Sequence, residues 1–205
     1  MELKEALKEL RSQEGRKFDQ TVDLIVNLKG LDFRKSNLSF VVDVPNKFKE
    51  KSVCAFLPEK SDLVPTITKP EFARYSDKKL LKSLVKKYDF FIAHSSLMPS
   101  IASTFGKVLG PTGKMPSPQL GVMMKEGAEE IKNTLNKISK SSKIRIKDAS
   151  VKIAVGKISM SDDKLIENIK SIYNGIIQAL PLKMDNVRGS MVKLTMTKPV
   201  EVQIK

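Results

Sequence analysis

Cysteine is nearly missing from this chain of 205 residues: only Cys54 is present, so no disulfide can form within it. Cys54 sits in an apolar run and is expected to be a buried, inert thiol. Histidine is as scarce, with His94 alone, and tryptophan is absent. Paired-histidine and Cys-x-x-Cys metal sites are therefore excluded, and no Gly-x-Ser-x-Gly segment offers a nucleophile. Neither a metal nor a cofactor is expected, and His94, at the end of a buried strand pattern, is read as structural. Asp162 and Asp163 are read as the start of a helix rather than as a catalytic pair. No apolar run approaches the roughly 18 residues that a membrane span needs, and Glu2, Lys4, Glu5, Lys8 and Glu9 leave no room for a signal core. The expected compartment is the cytosol, with no membrane partner.

What the chain has in excess is positive charge. Lys and Arg number 37 against 23 Asp and Glu, a formal net charge of +14. With 40% hydrophobic and 29% charged residues the composition is that of a globular protein. Such a balance favours phosphate-bearing partners, because each phosphate contact releases condensed counterions. Residues 48–144 carry 17 basic and 9 acidic residues and the remainder 20 and 14, so charge alone does not choose a binding region. The paired sheet aromatics of the RNA-recognition signature are absent.

Hydrophobic spacing changes along the chain. Leu3, Leu7 and Leu10 predict an amphipathic helix over residues 2–14, stopped by Gly15. Val22, Leu24, Val26 and Leu28 alternate with polar residues, a strand ended by Gly30, and Leu38, Phe40, Val42 and Val44 repeat the pattern. Residues 52–57 and 90–93 are continuous apolar runs. A helix capped by Asp77 lies between them, and a second, capped by Ser96 with Pro99 in its first turn, runs to Gly106. A helix from about Glu126 to Ser139 and a short strand at residues 144–147 follow. Buried strands alternating with helices predict a parallel sheet covered on both faces. Alternation then returns at Val151, Ile153 and Val155. A helix capped by Ser161 is striped by Leu165, Ile169, Ile172 and Ile176, and strands at residues 192–196 and 200–204 close the chain. The predicted fold is a two-layer α+β domain with an antiparallel sheet, residues 1–47 and 145–205, interrupted by an inserted Rossmann-like α/β domain with a parallel sheet, residues 48–144. Two linkers close in space would permit hinge motion.

Residues 109–118, Leu-Gly-Pro-Thr-Gly-Lys-Met-Pro-Ser-Pro, are expected to form a rigid surface loop. Three prolines fix φ and remove donors, and two glycines permit turns. A phosphate loop is excluded by spacing. Counting back from Gly113, the first glycine would have to stand at Leu109 or Val108, neither of which is glycine, and Met115 follows Lys114 in place of Ser or Thr.

That segment closely resembles the signature loop of the ribosomal protein L-one family, RNA-binding proteins of the large-subunit side stalk beside the tRNA exit site. The resemblance covers nearly the whole chain. Lys17-Phe18-Asp19-Gln20-Thr21-Val22 is similar to the family's first-strand motif, and Phe90-Phe91-Ile92-Ala93 with Leu97-Met98-Pro99 to its middle-domain core. Val155-Gly156-Lys157 and Leu194-Thr195-Met196 are similar to its returning strands, and the wording is archaeal rather than bacterial in character.

The resemblance implies that the outer domain grips large-subunit ribosomal RNA. The implied contacts are Lys17, Phe18 and Thr21, then Gly156 and Lys157, then Lys193, Thr195, Met196, Thr197 and Lys198. Threonine hydroxyls pair with phosphate or ribose 2′-hydroxyls, lysines neutralise phosphate, and Phe and Met shield those bonds from water. It also implies that the inserted domain faces the exit-site tRNA and assists its release, that surplus protein represses its own mRNA, and that the free protein is a monomer. Two departures stand out. Thr197 occupies a position where the family usually has glycine, with a cost of about 1–3 kcal/mol if that position needs positive φ. Thr112 stands where arginine is common. The rival readings are an α/β enzyme acting on a phosphorylated substrate in an interdomain cleft, and a nonspecific basic RNA-binding protein.

Overall fold

A computed structural model describes residues 1–13, 17–31, 38–124 and 127–204. The helix stop expected at Gly15 and the helix start expected at Glu126 lie outside them. In chain order the elements are α1 (Leu3–Ser12), β1 (Thr21–Leu28), β2 (Leu38–Asp43), β3 (Val53–Phe56), β4 (Thr66–Ile67), α2 (Lys78–Lys87), β5 (Phe90–His94) and α3 (Met98–Thr112). They continue with β6 (Val122–Met123), α4 (Ala128–Lys140), β7 (Ser141–Ile146), β8 (Ser150–Lys157), α5 (Asp162–Ala179), β9 (Val187–Leu194) and β10 (Val200–Val202). The described residues fall into two compact units, Met1–Lys49 with Lys140–Lys205, and Glu50–Ser139.

The first unit is a sheet of order β10-β9-β1-β8, antiparallel throughout. Period-two alternation in β1 sends Val22, Leu24, Val26 and Leu28 to one face, where they join Leu3, Leu7 and Leu10 of α1 and Leu165, Ile169, Ile172 and Ile176 of α5 in a single core. The opposite face of β1 carries Thr21, Asp23 and Asn27, all half-buried. β2 does not join this sheet. It pairs with β7 from Leu38↔Ile146 to Asp43↔Ser141, so the strand expected to close the insert belongs to the outer unit. Asn168 of α5, fully buried, donates to Asn46 O and Val155 O and accepts from Asn46 N, all at 2.9 Å, which ties α5 to β8 and to the turn after β2.

The second unit is a four-stranded parallel sheet of order β4-β3-β5-β6. β3 is buried along its whole length. Phe56 meets Phe72, Phe91 and Phe105 with ring centroids 5.8, 5.6 and 5.0 Å apart, an aromatic centre under α2 and α3. Asp77 caps α2 by accepting from Lys79 N at 2.8 Å. Ser96 does not cap α3, whose N-cap position is Leu97 without a side-chain bond; the short turn Ser95–Leu97 ahead of it is capped by His94, whose Nδ1 accepts from Ser96 N at 3.4 Å and lies 2.7 Å from Ser96 Oγ. Cys54 is buried in this core, which pushes its thiol up to about 12 and leaves it unreactive.

The segment expected to be a surface loop is helical over its first half. α3 continues through Gly106 to Thr112 and buries Leu109 completely. Pro111 lies in the last turn, where its missing N–H costs at most one helical hydrogen bond, and Gly110 before it has no Cβ to strike the proline ring. Gly113, at φ 74, ends the helix, with its N–H donating to Gly110 O at 3.0 Å and Lys114 N–H to Leu109 O at 3.1 Å. A side chain there would be strained, which accounts for the glycine.

Candidate nucleic-acid interface

Three segments far apart in sequence meet at one end of the antiparallel sheet. β1 begins there while β8 and β9 end there, and register places Thr21 beside Lys157, and Val22 beside both Gly156 and Leu194. Thr195, the first residue past β9, donates its N–H to Thr21 O at 3.1 Å, and Thr21 N–H donates to Thr195 Oγ1 at 3.1 Å. Thr195, Thr21 and Lys157 thus form a row across three strands. The Thr195 hydroxyl proton is left with a long 3.4 Å contact to Thr21 O, weak enough to turn toward a better acceptor.

The turn after β9 is closed by side chains. Leu194 N–H donates to Thr197 Oγ1 at 2.9 Å, and Thr197 N–H donates to Leu194 O at 3.2 Å. Lys183 is the one non-glycine residue with positive φ among the described residues, so Thr197 is unstrained and the cost feared for a β-branched residue there does not arise. Its hydroxyl does what no glycine could.

Beneath this turn lies Gln20, only 3% exposed. Its Oε1 accepts from Met196 N at 3.2 Å, while its backbone oxygen accepts from Ile158 N at 2.9 Å. Its neighbour Asp19 accepts from Ser159 N at 3.2 Å and Ser159 Oγ at 2.9 Å, and lies 3.8 Å from Lys157 Nζ. Asp19 and Gln20 therefore fasten the start of β1 to both neighbouring turns. From α1, Arg11 donates to Ile158 O and Met160 O, each at 2.7 Å, and pairs with Asp162 at 2.8 Å. Asp162 is thus spent on Arg11, and Ser161 occupies the cap position of α5 without a side-chain bond. Sequence reasoning passed over Gln20, Asp19, Ser159 and Arg11 as site residues. Only the place of Asp19 and Gln20 inside the Lys17–Val22 motif gave a signal.

Two exposed apolar side chains flank this row in sequence. Phe18 is 53% and Met196 60% exposed, so neither is core. Lys17 and Lys198 are exposed, and Lys193 is half-buried opposite Asp23 on the open face. Burial raises the Asp23 pKa, and Lys193 opposes that rise. Gly156 is different: a Cβ there would overlap Leu165 Cδ2 and lie 3.2 Å from Met160 Sδ, so its lack of a side chain serves packing under α5. Only its backbone is available to a ligand.

The arrangement offers hydroxyls, lysines and apolar shields on a rigid frame, a set suited to a phosphate and ribose surface. Among the described residues no cluster of three or more His, Cys, Asp or Glu could hold a metal, and no helix is long and apolar enough to cross a membrane.

Residues 10–198 match the family model described as the ribosomal protein L1p/L10e family. The chain belongs to this family. It is 32% identical to a large ribosomal subunit protein uL1 of Methanothermococcus thermolithotrophicus, over 97% of this chain and 96% of that one. The uL1 proteins of Pyrococcus horikoshii, at 32% over 97% and 94%, and of Methanothermobacter thermautotrophicus, at 33% over 98% of each, are similarly related.

In this L1p/L10e chain Lys114 is no phosphate ligand. Its Nζ donates to Val85 O and Tyr88 O, each at 2.7 Å, the carbonyls at the C-terminal end of α2. The basic residue that made the segment look like a phosphate loop is a helix cap.

Proposed function

We propose that this ribosomal protein is a structural component of the large subunit that binds large-subunit ribosomal RNA at the side stalk through the Thr21, Lys157 and Thr195 end of its antiparallel sheet. The observation that carries this reading is the exposure of Phe18 and Met196 beside the Thr21–Thr195 pair. Apolar side chains exposed beside hydrogen-bonding hydroxyls suit a partner surface, because the hydroxyls are shielded from water once it binds. Lys17, Lys157, Lys193 and Lys198 supply phosphate contacts, and backbone groups at Gly156 and Thr197 complete the edge. Names of large-subunit proteins on relatives that cover nearly the full chain support the same reading.

Residues 50–139 would face the exit-site tRNA and assist release of deacylated tRNA. Surplus free protein, a monomer, would repress its own mRNA by binding a structure like that of the stalk.

The test is competition binding at near-physiological salt between a stalk RNA fragment and an unrelated ribosomal RNA helix of equal length. A preference of about 10³-fold or more is expected. Equal, steeply salt-dependent binding to both would overturn the reading and leave only the net charge at work.

A further inference from the structure

The second unit carries a charged face that the proposed stalk site does not use. α2 reads Lys-Lys-Leu-Leu-Lys-Ser-Leu-Val-Lys-Lys, five lysines in ten residues with no acidic residue. Leu81, Leu84 and Val85 are its buried side. At about 100° per residue, Lys79, Lys82, Ser83 and Lys86 fall within a ~100° arc on the opposite side, and all four are exposed.

Three of the other long helices mix their charges, and α3 carries a single charged residue, Lys107. α1 sets Lys4 and Lys8 among Glu5 and Glu9, α4 opens with Glu129 and Glu130, and α5 opens with Asp162 and Asp163 and carries Glu167. The carboxylates around α2 are committed elsewhere: Asp77 caps the helix, Glu71 accepts from Thr68 N and pairs with Lys60 at 3.4 Å, and Asp89 accepts from Ser52 N. Packed against α2, the turn Lys69–Ser76 and α3 add exposed Lys69, Arg74 and Lys107.

This pattern is unfavourable in the free protein. Lys79–Lys82 and Lys82–Lys86 are like-charge pairs at i,i+3 and i,i+4, and Lys79 stands in the first turn, where the helix dipole repels a cation. A dense line of phosphates reverses both penalties. We propose that the outer face of α2, centred on Lys79, Lys82 and Lys86, is a second RNA-docking surface that grips a duplex backbone without reading bases. Exposed aromatic stacking groups are missing from that arc, so the contact is phosphate-only. The inference rests on the RNA-binding reading above but concerns a different unit and a different mode of contact.

The experiment measures the salt dependence of full-chain binding to a generic RNA duplex. The triple variant Lys79→Gln, Lys82→Gln, Lys86→Gln is compared with a charge-matched control, Lys4→Gln, Lys8→Gln, Lys170→Gln, on helices that carry carboxylates. With up to about 0.9 released counterion per phosphate contact, the α2 triple is expected to flatten the slope of log affinity against log salt by about 2, and the control by less than about 0.5. Lys79→Arg, Lys82→Arg, Lys86→Arg should keep the wild-type slope, which separates charge from misfolding. Equal flattening by triple and control would overturn the proposal, as would an unchanged duplex slope with loss of binding to phosphatidylserine vesicles. Preference for stalk RNA over an unrelated helix should survive in the α2 triple. Its absence in the wild-type chain would overturn the stalk reading alone.

Discussion

Thr21 and Thr195 are 174 residues apart and hold each other by two reciprocal bonds of 3.1 Å, Thr195 N–H to Thr21 O and Thr21 N–H to Thr195 Oγ1. A backbone pairing has been extended past the end of β9 by a side chain, so the hydroxyl is fixed in place before any ligand arrives. Preorganisation of this kind lowers the ordering cost of binding.

Thr195→Ala should therefore weaken stalk RNA binding by about 1–3 kcal/mol, the scale of a lost buried hydrogen bond plus a loosened partner. Thr195→Ser keeps the oxygen and should stay within about 1 kcal/mol of wild type by the same scale. Filter binding or calorimetry decides. Unchanged affinity in a folded Thr195→Ala protein would remove the residue from the interface.

Gln20 touches no solvent to speak of, yet its Oε1 holds Met196 N at 3.2 Å. Gln20→Leu should lower specific RNA affinity while sparing nonspecific duplex binding at low salt, because the lysines remain. Gln20→Glu, which keeps the acceptor, should restore part of the preference. If specific and nonspecific affinities fell in parallel, Gln20 would be supporting stability only.

Lys114→Met removes the donor to Val85 O and Tyr88 O. Two carbonyls at a helix end would lose a charged partner, at a cost of about 1.5–3 kcal/mol in urea unfolding. Stalk RNA affinity should stay within twofold, since Lys114 lies in the other unit. A loss of RNA affinity without loss of stability would return Lys114 to a ligand role.

Asp23 has a pKa raised by burial despite Lys193 beside it. A carboxyl whose folded value lies above its unfolded value, about 3.9, contributes stability that is full below that value and is lost as pH rises through the folded one. At neutral pH the charged form is a net cost. Asp23→Asn should raise the melting temperature at pH 7, and the gain should shrink on acidification toward pH 4. A gain that grew on acidification would contradict the burial account.

Much of the fold could be read from period alone. β1 and β2 alternate apart from Ile25 and Val41, α1 and α5 carry apolar stripes, and the all-apolar runs of β3 and β5 point to a parallel sheet. Pairing could not be read the same way. β2 and β7 lie about a hundred residues apart, and period two names the face of a strand but not its partner. β4 and β6, two residues each, are too short to show a period. Residues 109–112 are helical rather than a loop because the rule against proline in helices applies to interiors, and Pro111 sits in a final turn whose bonds are partly forfeit already. At the interface, motif resemblance supplied Thr21 and Thr195. The roles of Asp19, Gln20 and Thr197 are fixed by contacts across more than 100 residues, or by a side chain closing its own turn, and neither leaves a local signature.

The fastening by Asp19 and Gln20 also bears on biosynthesis. Residues 18–21 leave the synthesising machinery early, but Ser159 and Met196, which they hold, follow about 140 and 176 residues later. At roughly 5–20 residues per second, the first strand waits on the order of ten seconds or more for the turn that completes the site. On the function proposed above, a nascent or truncated chain lacking residues 194–197 would have the charge to adhere to RNA but not the shape to choose it. If that site binds RNA as proposed, recognition would be tied to synthesis of nearly the whole chain, and unfinished copies would not compete for it.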